Sequence, residues 1–131
     1  MSKITPDLAA SAVGSGIIIN TTYHPANFKL KIIGPAHNPV VHIGKNEVSI
    51  LGEILDGNYI LIDSYHKTIR LYDLYGHYTN AFDWGERGEG EGSGKYCFEK
   101  IGVGSQPVSW DGSFRFDLTV VEDRSEPSWR V

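Results

Sequence analysis

Phe114, Phe116, Leu118 and Val120 alternate with Arg115, Asp117, Thr119 and Val121. A period of two is what a strand with one buried and one wet face requires. Asp111-Gly112 stands just before this run, and both residues tolerate positive φ, so the pair predicts a hairpin turn between two strands. The same grammar recurs upstream. Short apolar or alternating stretches at 17–19, 28–33, 40–43, 47–55, 59–63 and 67–73, with a weaker one at 76–82, are separated by Gly-Pro, Asn-Pro, Gly-Lys-Asn and Asp-Gly-Asn turn residues. KYCFEKI at 95–101 is strand-like as well. About eight to ten short strands spaced every ~8–12 residues, with no long helical period, predict an all-β fold, an antiparallel β-sandwich or barrel.

The 131 residues suit one domain with one core, and 40% hydrophobic against 21% charged residues is a globular balance. Residues 1–16 read as a flexible leader and 17–131 as a single domain. A net charge of −4 supplies no basic field to attract nucleic acid or an anionic membrane. Cys97 is the sole cysteine, which excludes an intramolecular disulfide and a thiolate zinc cluster; it reads as a small buried apolar group before it reads as a reactive thiol. The first residues lack a secretory apolar region and no window reaches ~18 apolar residues. Synthesis in reducing cytosol follows as the expectation.

One stretch breaks the rhythm. WGERGEGEGSG at 84–94 interleaves three glutamates with glycines, which predicts a mobile acidic loop. Such a loop is either a lid or partner-binding segment, or an exposed insertion.

Catalytic and cofactor patterns are sparse. Gly94-Lys95 lacks the helix and hydroxyl of a phosphate loop, and no dinucleotide fingerprint is present. His24, His37, His42, His66 and His77 show no metal-ligand spacing. Glu86, Glu89 and Glu91 lack the pattern of a calcium loop. Asp63, Asp73, Asp83 and Asp117 qualify as glycosidase carboxylates by type alone, and no G-x-S-x-G marks a serine nucleophile. The expectation is a non-enzyme without cofactor or metal. The aromatics are more telling. Seven tyrosines and three tryptophans, with Tyr72, Tyr75 and Tyr78 clustered around Gly76, are residue types enriched in interfaces and on sugar-stacking surfaces, although a sandwich core and rim also use them.

Motifs in order along the chain carry a resemblance. They are Asn20-x-x-Tyr23-x-Pro25-Ala26-x-Phe28, Gly34-Pro35-x-x-Asn38-Pro39, the run 59–64 with Lys67-Thr68, and Gly76-x-x-x-Asn80-x-Phe82. Then follow Phe98-Glu99-Lys100-Ile101-x-x-Gly104, Ser109-Trp110-x-Gly112-Ser113-Phe114-x-Phe116-Asp117, and the stretch 122–127 with Trp129. Together they resemble the carboxy-terminal domain of the distal tail protein of tailed phages and prophages with long non-contractile tails. The resemblance implies a galectin-like, jelly-roll-type sandwich and a structural role in the virion tail tip or baseplate. Its partners would be the tube protein, the tape measure, the hub, or further copies of itself. Full-length members carry an amino-terminal half that builds a ring, for which this chain has no room, so an excised domain, a stand-alone component or a small relative is expected. Tyr72, Tyr75, Tyr78 and Trp129 are the candidate partner- or glycan-binding residues. The alternatives are a carbohydrate-binding module for host cell-wall attachment and, behind it, a small hydrolase.

Overall fold

A computed structural model of the chain describes residues 3–4 and 14–121. In order, the strands are β1 (Lys3–Ile4), β2 (Gly14–Asn20), β3 (Asn27–Ile33), β4 (Ala36–His37), β5 (Val40–Ile43) and β6 (Asn46–Ser49). They continue as β7 (Glu53–Ile54), β8 (Tyr59–Asp63), β9 (Thr68–Tyr72), β10 (Tyr78–Asn80), β11 (Gly104–Trp110) and β12 (Arg115–Val121), with one 3-10 turn at Phe82–Trp84. A six-stranded sheet runs β1-β12-β3-β8-β9-β10, a four-stranded sheet runs β2-β11-β5-β6, and β4 pairs with β7. Every strand pairing is antiparallel. The chain is an all-β antiparallel sandwich.

Alternation builds the two layers. Phe28, Leu30 and Ile32 of β3, Ile60 and Ile62 of β8, and Phe116, Leu118 and Val120 of β12 turn one face of the larger sheet inward. They meet Ile18, Val41, Val48, Val108 and Trp110 of the smaller sheet in one continuous core. Trp110 packs edge-on against Phe116 at 4.8 Å between ring centroids and 88°, a favoured aromatic geometry across the two layers.

Four expectations are corrected. Asp111-Gly112 does not make a hairpin: β11 lies in the smaller sheet and β12 in the larger, so the turn is an arch between layers. Gly112 has φ of 84° as the turn requires, but Trp110 and Phe114 on either side both enter the core and carry the chain across. The stretch 47–55 is not one strand. It breaks after β6, where Gly52 lies under the Trp84 ring so closely that an added Cβ would sit 2.6 Å from it. The stretch 95–101 is a turn rather than a strand, closed by the Glu99 amide donating to the Tyr96 carbonyl. Its neighbours Cys97 and Phe98 are both buried, which alternation cannot produce. Lastly, parts of the expected leader are strand, since Lys3–Ile4 pairs with β12 and β2 begins at Gly14. Residues 5–13 lie outside the described residues.

Candidate functional site

The outer face of the larger sheet brings together residues scattered through the sequence. Register sets Tyr59 of β8 opposite Tyr72 of β9, and Tyr72 opposite Tyr78 of β10. The next row places Asp117, Lys31, Leu61, Arg70 and Asn80 side by side across five strands. Side chains opposite each other in antiparallel strands lie close enough to interact. Tyr59 and Tyr72 stack with centroids 4.8 Å apart and planes 12° from parallel, and Tyr78 tilts against Tyr72 at 5.4 Å. Lys31 Nζ lies 4.3 Å from the Tyr59 ring centre and the Arg70 guanidinium 4.4 Å from that of Tyr78. Hydrogen bonding to the Tyr72 side chain, and then the nearby Tyr78, push the Arg70 guanidinium pKa further up, so it stays charged at any working pH. The result is a continuous ladder of cation, two stacked tyrosines, a third tilted against them, and cation across one sheet face.

Stacking decides what this face can do. Tyr59 has Lys31 and Tyr72 against its ring, and Tyr72 has Tyr59 and Tyr78, so these rings spend their flat faces on one another. What remains to them are edges and hydroxyls beside Lys31 and Arg70, with the Tyr72 side chain hydrogen-bonded to Arg70. Such a surface offers donors of the kind that pair with carboxylates and backbone carbonyls.

Of the sequence candidates, Tyr72 and Tyr78 meet in this ladder. Tyr75 stands at the apex of the β9–β10 turn, 81% exposed, beside Leu74 at 69%. Leu74 leans over Gly57, where an added Cβ would come within 2.6 Å of its Cδ2, and Leu55 is exposed nearby in the chain, so the end of the sheet is apolar. Trp129 lies outside the described residues. Sequence reasoning did not single out Tyr59, Lys31 or Arg70 for this role. Their alternation with apolar residues marked them as outward-facing, but only strand register shows that they are neighbours.

The remaining candidates go elsewhere. Asp63, the one buried carboxylate among the described residues, is consumed by its own turn. Its Oδ1 accepts from the Tyr65 and His66 amides at 3.0 and 3.1 Å, and its Oδ2 lies 2.8 Å from His66 Nδ1. Asp73 accepts the amides of Tyr75 and His77 in the next turn, while Asp83 sits in the 3-10 turn and Asp117 on β12. All five histidines are exposed, and no group of three or more metal-ligating side chains occurs among the described residues. No helix among them is long and apolar enough to cross a membrane. Cys97 is fully buried beneath Gly85, and burial pushes its thiol up to about 11.

The acidic loop is tied down at its base. Glu86 donates its amide to Ser49, Cys97 donates its amide to Glu86, and Glu47 donates its amide to Gly94. Asn46 clamps Tyr96 by donating to its carbonyl at 2.9 Å and accepting from its amide at 3.3 Å. Between the β5–β6 turn and Glu99–Gly102 lies an open cleft of about 380 Å³, with Lys45 and Lys100 among its lining residues and Gln106 filling the space beside Gly44. No family model, curated protein or solved structure matches this chain.

Proposed function

We propose that this chain is a non-enzymatic structural or adaptor component of a phage tail tip or baseplate, and that it docks neighbouring tail proteins through the outer face of its six-stranded sheet. The observation that supports the docking face is the ladder of Lys31, Tyr59, Tyr72, Tyr78 and Arg70. It places tyrosine and arginine, the residue types that concentrate binding energy in interfaces, on a platform with little rotamer freedom left to lose. The tail assignment rests on the ordered motifs from Asn20 to Trp129. Within a tail, many copies held at high effective concentration turn modest contacts into firm attachment.

The test is co-purification with the tube, tape-measure and hub proteins of the same particle, comparing the wild type with Tyr72→Ser/Tyr78→Ser. Both substituted rings are largely outside the core, so circular dichroism and melting should change little. Loss of binding to a tail protein by more than about tenfold is expected, in line with interface anchors of this type. Retention of full binding by the double variant would remove the face from the proposal, and failure of all three proteins to bind would remove the tail assignment.

Attachment to a cell-wall glycan is the second reading, favoured by the open ring of Tyr75 and the 92%-exposed Tyr23. It loses ground because Trp110 is buried and Trp84 packs on Gly52, leaving neither as a sugar platform. Binding of purified cell-wall polysaccharide that is abolished by Tyr75→Ala would bring this reading to the front.

A further inference from the structure

Few charges in this molecule are paired in contact. Among the described residues the ion pairs are His66–Asp63 and His77–Asp73, so lysines, arginines and glutamates are left without an opposite charge in contact. On the outer face of the larger sheet stand Lys29, Lys31, Arg70 and Arg115 with only Asp117 and the spent Asp63 as acids. Glu89 and Glu91 are exposed on the glycine-rich loop, free of hydrogen bonds and ion pairs among the described residues. That loop leaves from β10, the edge strand of the larger sheet, and is anchored to β6, the edge strand of the smaller one, whereas the cations stand on the outer face of the larger sheet. Loop and face are thus separate surfaces of the chain.

We infer that the partner of the cation–tyrosine face is a second copy of this chain, which inserts its acidic loop so that Glu89 and Glu91 meet Arg70 and Lys31. The inference rests on the docking role proposed for this face and names one occupant of it. The chemistry matches at each point. The Arg70 guanidinium, 4.4 Å from the Tyr78 ring centre and hydrogen-bonded to the Tyr72 side chain, offers further N–H donors in the fork that a carboxylate accepts bidentately. Glycines on both sides of Glu89 and Glu91 let the loop backbone come close to the face. Because loop and face are different surfaces, the contact joins unlike patches: repeated head-to-tail it builds a ring or a filament, and exchanged reciprocally between two copies it closes a twofold dimer.

Sedimentation velocity over a concentration series, at low and high salt, tests this with two charge-reversed variants: Glu89→Lys/Glu91→Lys and Lys31→Glu/Arg70→Glu. The wild type should associate at low salt and weaken by more than about tenfold between 0.1 and 1 M salt, because the screening length falls from about 10 to about 3 Å. Each variant alone should be monomeric, since like charges would then face each other. An equimolar mixture should associate again, because each variant supplies the surface the other lacks. Lys31→Gln/Arg70→Gln, with the same melting temperature as the wild type, guards against a folding artefact and should weaken association to a lesser degree. A wild type that stays monomeric at low salt overturns the inference, as does association that neither salt nor either reversal affects. If the wild type is monomeric while Tyr72→Ser/Tyr78→Ser still loses a tail protein, the docking face stands and only the identity of its occupant is wrong.

Discussion

At the end of β8 a single carboxylate holds a turn in place. Asp63 accepts two backbone amides and the His66 ring, and the Lys67 that follows adopts φ of 55°, a conformation that needs such support. Burial pushes the Asp63 pKa up, but the hydrogen bonds and charge of His66, helped by Lys29, outweigh it and hold the group below its ordinary 3.8. The unfolded chain therefore binds a proton at Asp63 more readily than the folded one. The stabilisation is fully present above about pH 4 and is lost as pH falls through the lower folded value. Melting temperature should consequently drop more steeply between pH 5 and 3 in the wild type than in Asp63→Asn, and parallel curves would show that the carboxylate carries no such charge-dependent bonds. Cys97 gives a second check at this scale. With its thiol raised to about 11, roughly one molecule in a thousand carries the thiolate at pH 8. Iodoacetamide should label it slowly in the native protein and fast in urea. The sequence placed Cys97 well, as a buried apolar group, whereas Asp63 stood out in it only as a carboxylate. The bond to the His66 ring was not legible, because a turn motif specifies backbone shape before it specifies side-chain partners.

Among the elements, the arch from β11 to β12 shows where local pattern stops being informative. Period-two alternation at 114–121 correctly reports which side chains are buried, yet it is silent on which strand lies alongside. Asp111 accepts the Ser113 amide at 2.9 Å and its hydroxyl at 2.6 Å, bonds that serve a hairpin or an arch equally well. What selects the arch is the aromatic packing on either side of it. Phe116, fully buried and edge-on to Trp110, therefore matters more than the turn itself. In urea denaturation, Asp111→Ala should cost about 1 kcal/mol, the value of ordinary hydrogen bonds at an exposed site. Phe116→Ala should cost about 3–5 kcal/mol, as cavity-forming substitutions of this size do. Equal costs would mean that the turn, not the interlayer packing, directs the crossing. The same limit applies to the candidate site. Tyr72 and Tyr78 were visible as neighbours across a short turn, but Tyr59 and Lys31 join them only through the register of β8 with β9 and β3.

Taken as a whole, the molecule separates what holds it together from what it offers outside. The core is shared by both sheets, so unfolding should be a single transition. The acidic loop contributes little to that core, because its exposed glutamates pack against nothing while its base is fixed by backbone bonds to β6. Cys97 and Glu86 are already joined by a backbone hydrogen bond at 3.1 Å, which marks the ends of the loop as adjacent. Deleting residues 88–93 and closing with a two-residue glycine link therefore asks little of the rest of the fold. A shorter closed loop loses less entropy on folding, by about 0.6 kcal/mol for each halving of length. The loss of two exposed bonds, from the Gly92 amide to Glu99 and from the Lys95 amide to the Ser93 hydroxyl, acts in the opposite direction by a similar amount. Stability in urea should consequently stay within about 1 kcal/mol of the wild type. Salt-sensitive self-association should disappear in the same protein. A shortened protein that melts normally and still associates would assign the contact to another surface, of which the apolar end formed by Leu74 and Tyr75 is the next to substitute. One that unfolds in two steps would show that the loop belongs to the core after all.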